Sequence, residues 1–288
     1  MTDGNSLINF GDISKPATVL IEKISSAVGI VFEPHRVKRM ARAEAEADRI
    51  RALARFELSD IENRAIERFV AQEARKQENI ESIATQAAEA LPDNAEVSEI
   101  EEDWITHFFK HCDTVSDKQM QSLWARLLSS EATKPGTYSK RTVDFISTMN
   151  KSEAELFSNL CTFVWKIGEP AVIIKDLSHE AYNKKKINFI NLKHLDSIGL
   201  ISFEPASGYI NKCSTSHIDV SYYDQKLRLG LKKDVTKISI GAALLTTVGK
   251  ELFSLCRPEP DPDHLQYMIE TWSKEGITVS KLSTREAE

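Results

Sequence analysis

The sequence predicts an α+β protein in which helix predominates: long charged N-terminal helices, a helical unit, and a C-terminal winged-helix-like α+β unit. Three observations support this. The 288 residues include only 11 Gly and 9 Pro, which favours helical structure. Residues 35–91 contain neither Gly nor Pro and are rich in strong helix formers. After Gly168, short apolar segments separated by turn residues are typical of strands.

We expect the chain to fall into four segments. Residues 1–91 carry an amphipathic helix and charged, Ala-rich helices, and residues 92–103 form an acidic linker. Residues 104–166 form the helical unit, and residues 167–288 form the winged-helix-like unit.

Composition excludes several classes of protein. The net charge is −6. Four widely spaced cysteines rule against a disulfide framework and a Cys-based zinc knuckle, and they favour a reducing cytoplasm. No apolar run reaches the length of a membrane span, and the first residues lack the pattern of a secretion signal. We therefore expect a cytoplasmic protein, with peripheral contact to the inner membrane as an alternative.

The segment 14–32 predicts an amphipathic helix that begins near Pro16. Its apolar positions at helical spacing are Val19, Leu20, Ile24, Val28 and Val31. This face packs on the rest of the protein, or on a partner helix, or lies on a membrane surface. Because Lys23 is the one basic residue within the apolar stretch, attraction to anionic lipid would be weak.

Residues 35–91 predict two long helices. Ser59 to Glu62 read as a capping box, so one helix should end or kink near Leu58 and the next should begin at Asp60. The apolar positions do not keep a strict heptad, which argues against a long regular coiled coil. An Ala-lined face with alternating charges suits helix association, within the chain or between copies. A solvated helical arm with no separate role is the alternative.

Turn residues and six acids between Leu91 and Asp103 predict the linker. Two amphipathic helices follow, one over residues 103–112 and one that begins after a cap at Ser116–Asp117. Residues 139–149 give a further short helical segment. Ser152 to Glu155 open another helix, which we expect to extend through Phe163 and Trp165.

The C-terminal segment predicts short strands around single helices. A helix is expected over 188–198, another over 246–256 and a third over 264–274. Strands are expected over 171–175, 199–203, 209–212, 217–222, 226–231, 235–240 and 277–282.

His107 and His111 are the residues nearest to a metal-ligand pattern. Their i,i+4 spacing puts two imidazoles on one helical face and is compatible with zinc. However, position 108 is Phe rather than the Glu of a two-histidine metalloprotease. Cys112 points about 100° away from His111 on an ideal helix. We therefore predict two ordinary histidines near a helix end and no metal.

No other motif indicates catalysis. The chain has no Gly-x-Ser-x-Gly elbow, no Walker sequence and no dinucleotide fingerprint. Acid pairs lie where helix starts favour negative charge, and Cys161 and Cys256 lie on apolar helix faces. We predict neither catalytic residues nor a cofactor, and we expect the protein not to be an enzyme.

Basic residues concentrate between Asn183 and Ile240, where ten Lys and Arg stand against five acids. A basic helix start and a basic wing are how many winged-helix modules hold phosphates. The predicted nucleic-acid contacts are Lys184, Lys185, Lys186, Lys193, Lys226, Arg228, Lys232 and Lys233. The alternative is a solvated surface or a protein-interaction module, because the helix over 188–198 carries few base-reading side chains.

Three stretches carry a resemblance to a known family: LINFGDISKPATVLIEKISSAVGIVFEP, RVKRMARAEAEADRIRALA and the block from DWITHFFKHC to NKSEAELF. They resemble the bacterial family known as domain of unknown function 2806, and LDSIGLISF and LTTVGKELFSL are similar to its winged-helix-like half. The resemblance brings no catalytic residue to this chain. The overall plan is loosely similar to abortive-infection proteins of the alpha type, which implies a role in phage defence or stress response.

The expected function is therefore that of a non-enzymatic interaction or regulatory protein that assembles through its N-terminal helices. Its expected partner is another protein or a second copy of the chain. A winged-helix DNA-binding regulator and a membrane-surface effector using residues 14–32 are the alternatives.

Overall fold

The computed structural model describes residues 14–28, 60–213, 215–232, 236–256 and 258–282. These residues form ten helices and nine strands, so the fold is α+β with helix predominating, as predicted. The chain divides into two compact units, residues 1–147 and 148–288.

Unit 1 is helical. Its elements are α1 (Lys15–Val28), α2 (Asp60–Glu89), α3 (Glu102–Cys112), α4 (Lys118–Thr133) and α5 (Lys140–Thr148), the last of which ends just past the division. The helix α2 begins at the residue that the capping box predicts, whereas Ser59 and the predicted helix before it lie outside the described residues.

Aromatic and aliphatic side chains from α3 and α4 form the centre of unit 1. Trp104 stacks on Phe108, and Phe108 meets Trp124 edge to face with ring centroids 5.0 Å apart. The Trp104 indole N–H donates to the Tyr138 carbonyl at 2.8 Å, which satisfies a polar group that would otherwise be buried without a partner. The core therefore fixes α3 against α4 and the segment before α5.

A buried polar network connects α2 to α4. The Asn79 amide donates to the Asp113 carbonyl at 2.8 Å, and the Gln121 amide donates to Asn79 Oδ1 at 3.1 Å. Ile83, Ala84, Ala87 and Ala88 of α2 are buried beside it. The C-terminal half of α2 thus belongs to the core of unit 1.

The predicted acidic linker lies inside unit 1. Leu91 and Ile100 at its ends are buried, and the Ser98 amide donates to the Ala132 carbonyl at 2.9 Å. Apolar anchors on both sides hold this acidic segment against the helices, so the division of the chain falls instead at residues 147 and 148.

Unit 2 combines helices with three antiparallel sheets. Its helices are α6 (Lys151–Cys161), α7 (Glu180–Lys184), α8 (Phe189–Ser197), α9 (Thr247–Phe253) and α10 (Pro262–Lys274). Its strands are β1 (Val164–Ile167), β2 (Glu169–Val172), β3 (Ile201–Phe203), β4 (Tyr209–Lys212), β5 (His217–Tyr222), β6 (Gln225–Gly230), β7 (Lys237–Gly241), β8 (Ala243–Leu245) and β9 (Thr278–Lys281).

The largest sheet has the strand order β2-β1-β5-β6-β9, and the two-stranded sheets are β3-β8 and β4-β7. In the large sheet, Asp219 faces Arg228 across β5 and β6, and Leu229 faces Val279 across β6 and β9. The strand that carries Lys226 and Arg228 is therefore an interior strand of a five-stranded sheet. The sequence predicted it instead as one arm of a two-stranded wing.

The helix predicted to continue through Trp165 ends at Cys161, and β1 begins at Val164. The reason lies in the side chains of this strand. Trp165 is buried against Tyr222 and Trp272, whereas Lys166 is exposed, which is the alternation of a half-buried strand. Trp165 thus contributes to the core of unit 2, together with Val220, Leu229 and other buried residues.

Candidate functional site

The N-terminal half of α2 exposes three large apolar side chains, and α8 exposes two, Phe189 and Ile190. Ile61, Phe69 and Val70 have 70%, 63% and 58% of their surface exposed. Residues 61, 65 and 69 follow one another at intervals of four along one side of the helix, and residues 66 and 70 follow at the same interval on the adjoining side. At about 100° per residue these five residues cover about half of the helix circumference, and we call them the α2 stripe.

Charges of both signs are interspersed along this half of α2. Its acidic residues are Asp60, Glu62, Glu67 and Glu73, and its basic residues are Arg64, Arg68, Arg75 and Lys76. Lys76 lies 2.8 Å from Glu73 on the same helix, and this hydrogen bond raises the pKa of Lys76. Lys76 also lies 3.8 Å from Asp113, so its charge is already shared between two acids of unit 1.

A second cluster lies between α3 and α5. His107 and His111 lie on one face of α3, with ring centroids 4.6 Å apart. Both imidazoles meet the same oxygen of Asp144 on α5: His107 Nε2 lies 2.6 Å from Oδ1 and His111 Nε2 lies 3.3 Å from it. The histidine pair was visible in the sequence, whereas Asp144 was missed because no local spacing relates it to α3.

The apolar face predicted on α1 is covered by protein. Leu20 and Ile24 are fully buried, and Ala17 and Ile21 are buried with them. Ala17 and Ile21 share a small core cluster with Ala88 of α2. Val19 is at the edge of this face and partly exposed, whereas Val31 and the side chain of Val28 lie outside the described residues. The contact that α1 makes is thus a helix contact within unit 1.

The predicted phosphate-binding cations lie on three elements of unit 2. Lys184 ends α7, with Lys185 and Lys186 directly after it, and Lys193 is on α8. Lys226 and Arg228 lie on β6, and Lys232 is exposed beyond that strand. Lys233 lies outside the described residues.

Three of these cations have acidic partners. Lys184 Nζ lies 3.3 Å from Asp263, Lys193 Nζ lies 2.6 Å from Asp196, and Arg228 holds Asp219 through two hydrogen bonds of 2.7 and 2.9 Å. The bond to Arg228 lowers the pKa of Asp219. Each of these carboxylates cancels charge that a phosphate would otherwise attract.

A polar cleft of about 310 Å³ lies beside α7 and α10. The His179 ring stacks on Tyr267 at a centroid distance of 3.9 Å and forms one wall. Glu180 and Asp263 lie on either side of Lys184, and its hydrogen bond to Asp263 raises the pKa of the Lys184 ammonium. The cleft is thus lined by three carboxylates, those of Glu180, Asp263 and Glu270, and by one ammonium, that of Lys184, so its lining carries an excess of negative charge.

Beneath this region His264 is fully buried among aromatic rings. Its Nε2 accepts a hydrogen bond of 3.0 Å from the Trp165 indole, so the neutral ring carries its proton on Nδ1. Burial and, as the smaller cause, the charge of His179 together lower the pKa of His264 to about 3. His264 therefore stays neutral at physiological pH and serves as a hydrogen-bond acceptor inside the core.

The comparisons with known proteins place this two-unit chain in a family. The model of a protein family of unknown function, DUF2806, matches residues 63–269, which is more than half of the chain. The chain therefore belongs to the DUF2806 family. Comparison with curated proteins and with solved structures gave no match. None of the described helices combines the length and the apolar character that crossing a membrane requires.

Proposed function

We propose that the protein is a non-enzymatic interaction protein that pairs with a second copy of itself through the α2 stripe. The observation that carries this proposal is the exposure of Ile61, Phe69 and Val70 on a helix whose other half is buried in the core. Large apolar side chains grouped on one exposed face are typical of an interaction surface. The buried half fixes the position of the helix in unit 1, and the exposed half continues from it as the same helix.

The arrangement that we propose is a two-fold antiparallel pair of α2 helices. With Phe69 at the centre, the position of Glu62 on one helix is opposite that of Lys76 on the other, and that of Asp60 is opposite that of Glu78, so the apolar contact and not the charge carries the proposal. Phe69 then meets Phe69 of the second copy, and residues 61, 65 and 66 cover its flanks. An interface of this type is self-complementary, as two-fold symmetry requires.

This function has better support than the two alternatives from the same chain. For nucleic-acid binding, Lys184, Lys193 and Arg228 are already paired with acids. Moreover, the acidic and basic residues of 148–288 are equal in number, 18 of each. For a membrane-surface effector, Leu20 and Ile24 would have to leave a protein core.

A matched pair of variants tests the pairing. We expect wild-type protein to have twice the chain mass of 32.4 kDa by light scattering, and Phe69→Glu to be a monomer, because a carboxylate would be buried at the centre of the interface. Ala71→Glu introduces the same side chain at an exposed position on the opposite face of α2 and should remain a dimer. A monomeric wild type, or a dimeric Phe69→Glu, contradicts the proposal.

The biological setting that we propose is phage defence or a stress response, from the similarity in plan to abortive-infection proteins. Plaque counts on cells that express the protein test it. Protection by wild type and by Ala71→Glu, with its loss in Phe69→Glu, is the expected pattern. Equal plaque counts with and without wild-type protein would contradict the proposed role in phage defence.

A further inference from the structure

Three metal-ligand atoms converge at one point on the surface of unit 1. One ring nitrogen of His107, one ring nitrogen of His111 and an oxygen of Asp144 all lie within 4.8 Å of one another. The two imidazoles come from successive turns of α3, and the carboxylate comes from α5. Neither helix alone supplies all three ligand atoms, so the ligand atoms come together only when α3 packs against α5.

The position of Asp144 is fixed by the way α3 and α5 lie together. Lys140, one turn before Asp144, approaches Glu101 at 3.7 Å and Asp103 at 3.9 Å, near the start of α3. One turn further along both helices, Asp144 meets His107 and His111. Later residues of α5 thus contact later residues of α3. These contacts place the Asp144 carboxylate beside the two histidines.

The separations suit a small transition-metal ion. Zinc binds imidazole nitrogen and carboxylate oxygen at about 2.0–2.2 Å in a tetrahedron, which places neighbouring ligand atoms about 3.3 Å apart. The distance from His111 Nε2 to Asp144 is 3.3 Å, and that from His107 Nε2 is 2.6 Å. Asp144 is more than half exposed, so its carboxylate has room to move outward as an ion enters.

We propose that His107, His111 and Asp144 bind one divalent ion of the zinc class, with water at the remaining position. Two nitrogen donors and one carboxylate fit zinc, cobalt or nickel, whereas magnesium and calcium prefer oxygen ligands throughout. The remaining position faces solvent, because all three side chains are partly exposed. The site is independent of the α2 stripe and of the pairing proposed above.

Binding has a defined proton balance. An imidazole binds a metal through the Nε2 lone pair, so each ring must be neutral with its proton on Nδ1. Any Nε2 proton that is shared with Asp144 in the metal-free protein moves to Nδ1 or is released to solvent.

The bound ion would add a coordinate link between two helices that already contact each other through Lys140 and Asp103. His107 and His111 lie on α3 and Asp144 lies on α5, so one ion would link both helices directly. A ligand that binds the folded chain alone raises its apparent stability in proportion to the logarithm of its concentration. We therefore expect the melting temperature to rise with added zinc.

Titration of the chelator-treated full chain with Co²⁺ tests the site. We expect one equivalent to bind and to give the visible absorption of a four- or five-coordinate cobalt ion, and we expect Zn²⁺ to displace it. Asp144→Asn keeps the shape and a hydrogen-bonding oxygen at this position but removes the charged ligand. It should weaken binding at least about 100-fold, since even outer hydrogen-bond partners contribute 10–100-fold.

His111→Ala is the second variant, and it should also lose the cobalt spectrum. His217→Ala is the matched control, because His217 is an exposed histidine on β5 and lies outside the cluster. It should bind cobalt as wild type does. Circular dichroism shows that each variant is folded. No stoichiometric binding by wild type, or equal binding by folded Asp144→Asn and His111→Ala, overturns the proposal.

Discussion

Among single residues, His264 is a histidine whose surroundings strongly disfavour its charged form. It is fully buried, and Phe163, Tyr182 and Tyr222 have ring centroids 4.9, 5.6 and 5.6 Å from its own. Its pKa is lowered to about 3, first by burial and then by the charge of His179. An imidazole that cannot gain a proton in the folded state makes stability depend on pH.

We expect His264 to destabilise the folded chain progressively as the pH falls below 6.5. The unfolded chain takes up a proton near pH 6.5, whereas the folded chain does so only near pH 3, so protonation favours unfolding between these values. From pH 8 to pH 5 this costs about 2 kcal/mol, at about 1.4 kcal/mol per pKa unit. Urea unfolding at a series of pH values measures the loss.

His264→Gln is the variant that isolates this effect. Its side-chain oxygen can accept the Trp165 N–H in place of Nε2, and it has no titratable group in this range. The difference in unfolding free energy between wild type and His264→Gln should shrink or reverse from pH 8 to pH 5. A constant difference would mean that His264 gains a proton in the folded chain as easily as in the unfolded chain.

Among the elements, α9 shows where a local rule and the packing disagree. Gly249 lies within this helix, where Ala is ordinarily favoured over Gly by about 1 kcal/mol. However, a Cβ on Gly249 would lie 2.1 Å from the Leu200 carbonyl oxygen. That oxygen accepts the Thr246 amide at 3.1 Å, so it cannot move without loss of the contact that starts the helix.

We therefore predict that Gly249→Ala destabilises unit 2 by about 1–3 kcal/mol, the usual cost of overpacking. Urea unfolding followed by tryptophan fluorescence measures the loss of stability in each variant. Gly230→Ala is the control, because its nearest contact would be Thr278 Cβ at 3.5 Å, an ordinary van der Waals distance. Equal stability of the two variants would show that α9 shifts away from Leu200 without cost.

The elements could be predicted from sequence where a local pattern determines them. The strands predicted over 209–212 and 217–222 are β4 and β5 of the structure. The cap predicted at Ser116–Asp117 is also present, since the Asp117 carboxylate accepts from the Gln119 and Met120 amides at the start of α4. Trp165 was placed in a helix because apolar spacing alone does not separate a helix end from a short buried strand. The helix α7 was missed because five residues are too few to show a period.

The candidate sites depend on contacts that the sequence does not show. The basic residues were identified correctly as basic, but Lys184 meets Asp263, 79 residues away. Likewise, His107 meets Asp144, 37 residues away. Such pairings follow from how the helices and strands pack, so spacing within one element cannot predict them. The apolar residues of α2 were visible, whereas the exposure of one half of that helix was not.

For the whole molecule, the net charge of −6 comes entirely from unit 1. Residues 148–288 contain as many basic as acidic residues, so the excess of acid lies in residues 1–147. The basic region between Asn183 and Ile240 is balanced by acids elsewhere in unit 2, among them Asp261, Asp263 and Glu275. Net charge therefore gives no electrostatic reason for unit 2 to attract a polyanion as a whole.

The last prediction concerns the folding of unit 2 by itself. Its large sheet is built from strands between Val164 and Lys281, and its core cluster draws on residues from Trp165 to Ile277. A chain of this length is within the ordinary size of an independent domain. We expect a fragment of residues 148–288 to unfold in one cooperative transition in urea, with the near-ultraviolet circular dichroism of fixed tryptophans.

A shorter fragment, residues 148–269, gives the control, because it ends where the family match ends. It cuts α10 before Trp272, whose ring meets Trp165 at 4.9 Å, and it removes β9, the edge partner of β6. Loss of this tryptophan from the core should cost about 3–5 kcal/mol, which is a large part of the stability of such a domain. The shorter fragment should therefore bind hydrophobic dyes and unfold without cooperativity. If both fragments unfold cooperatively, the core of unit 2 does not need the end of α10 or β9. If the 148–288 fragment unfolds without cooperativity, unit 2 does not fold without the rest of the chain.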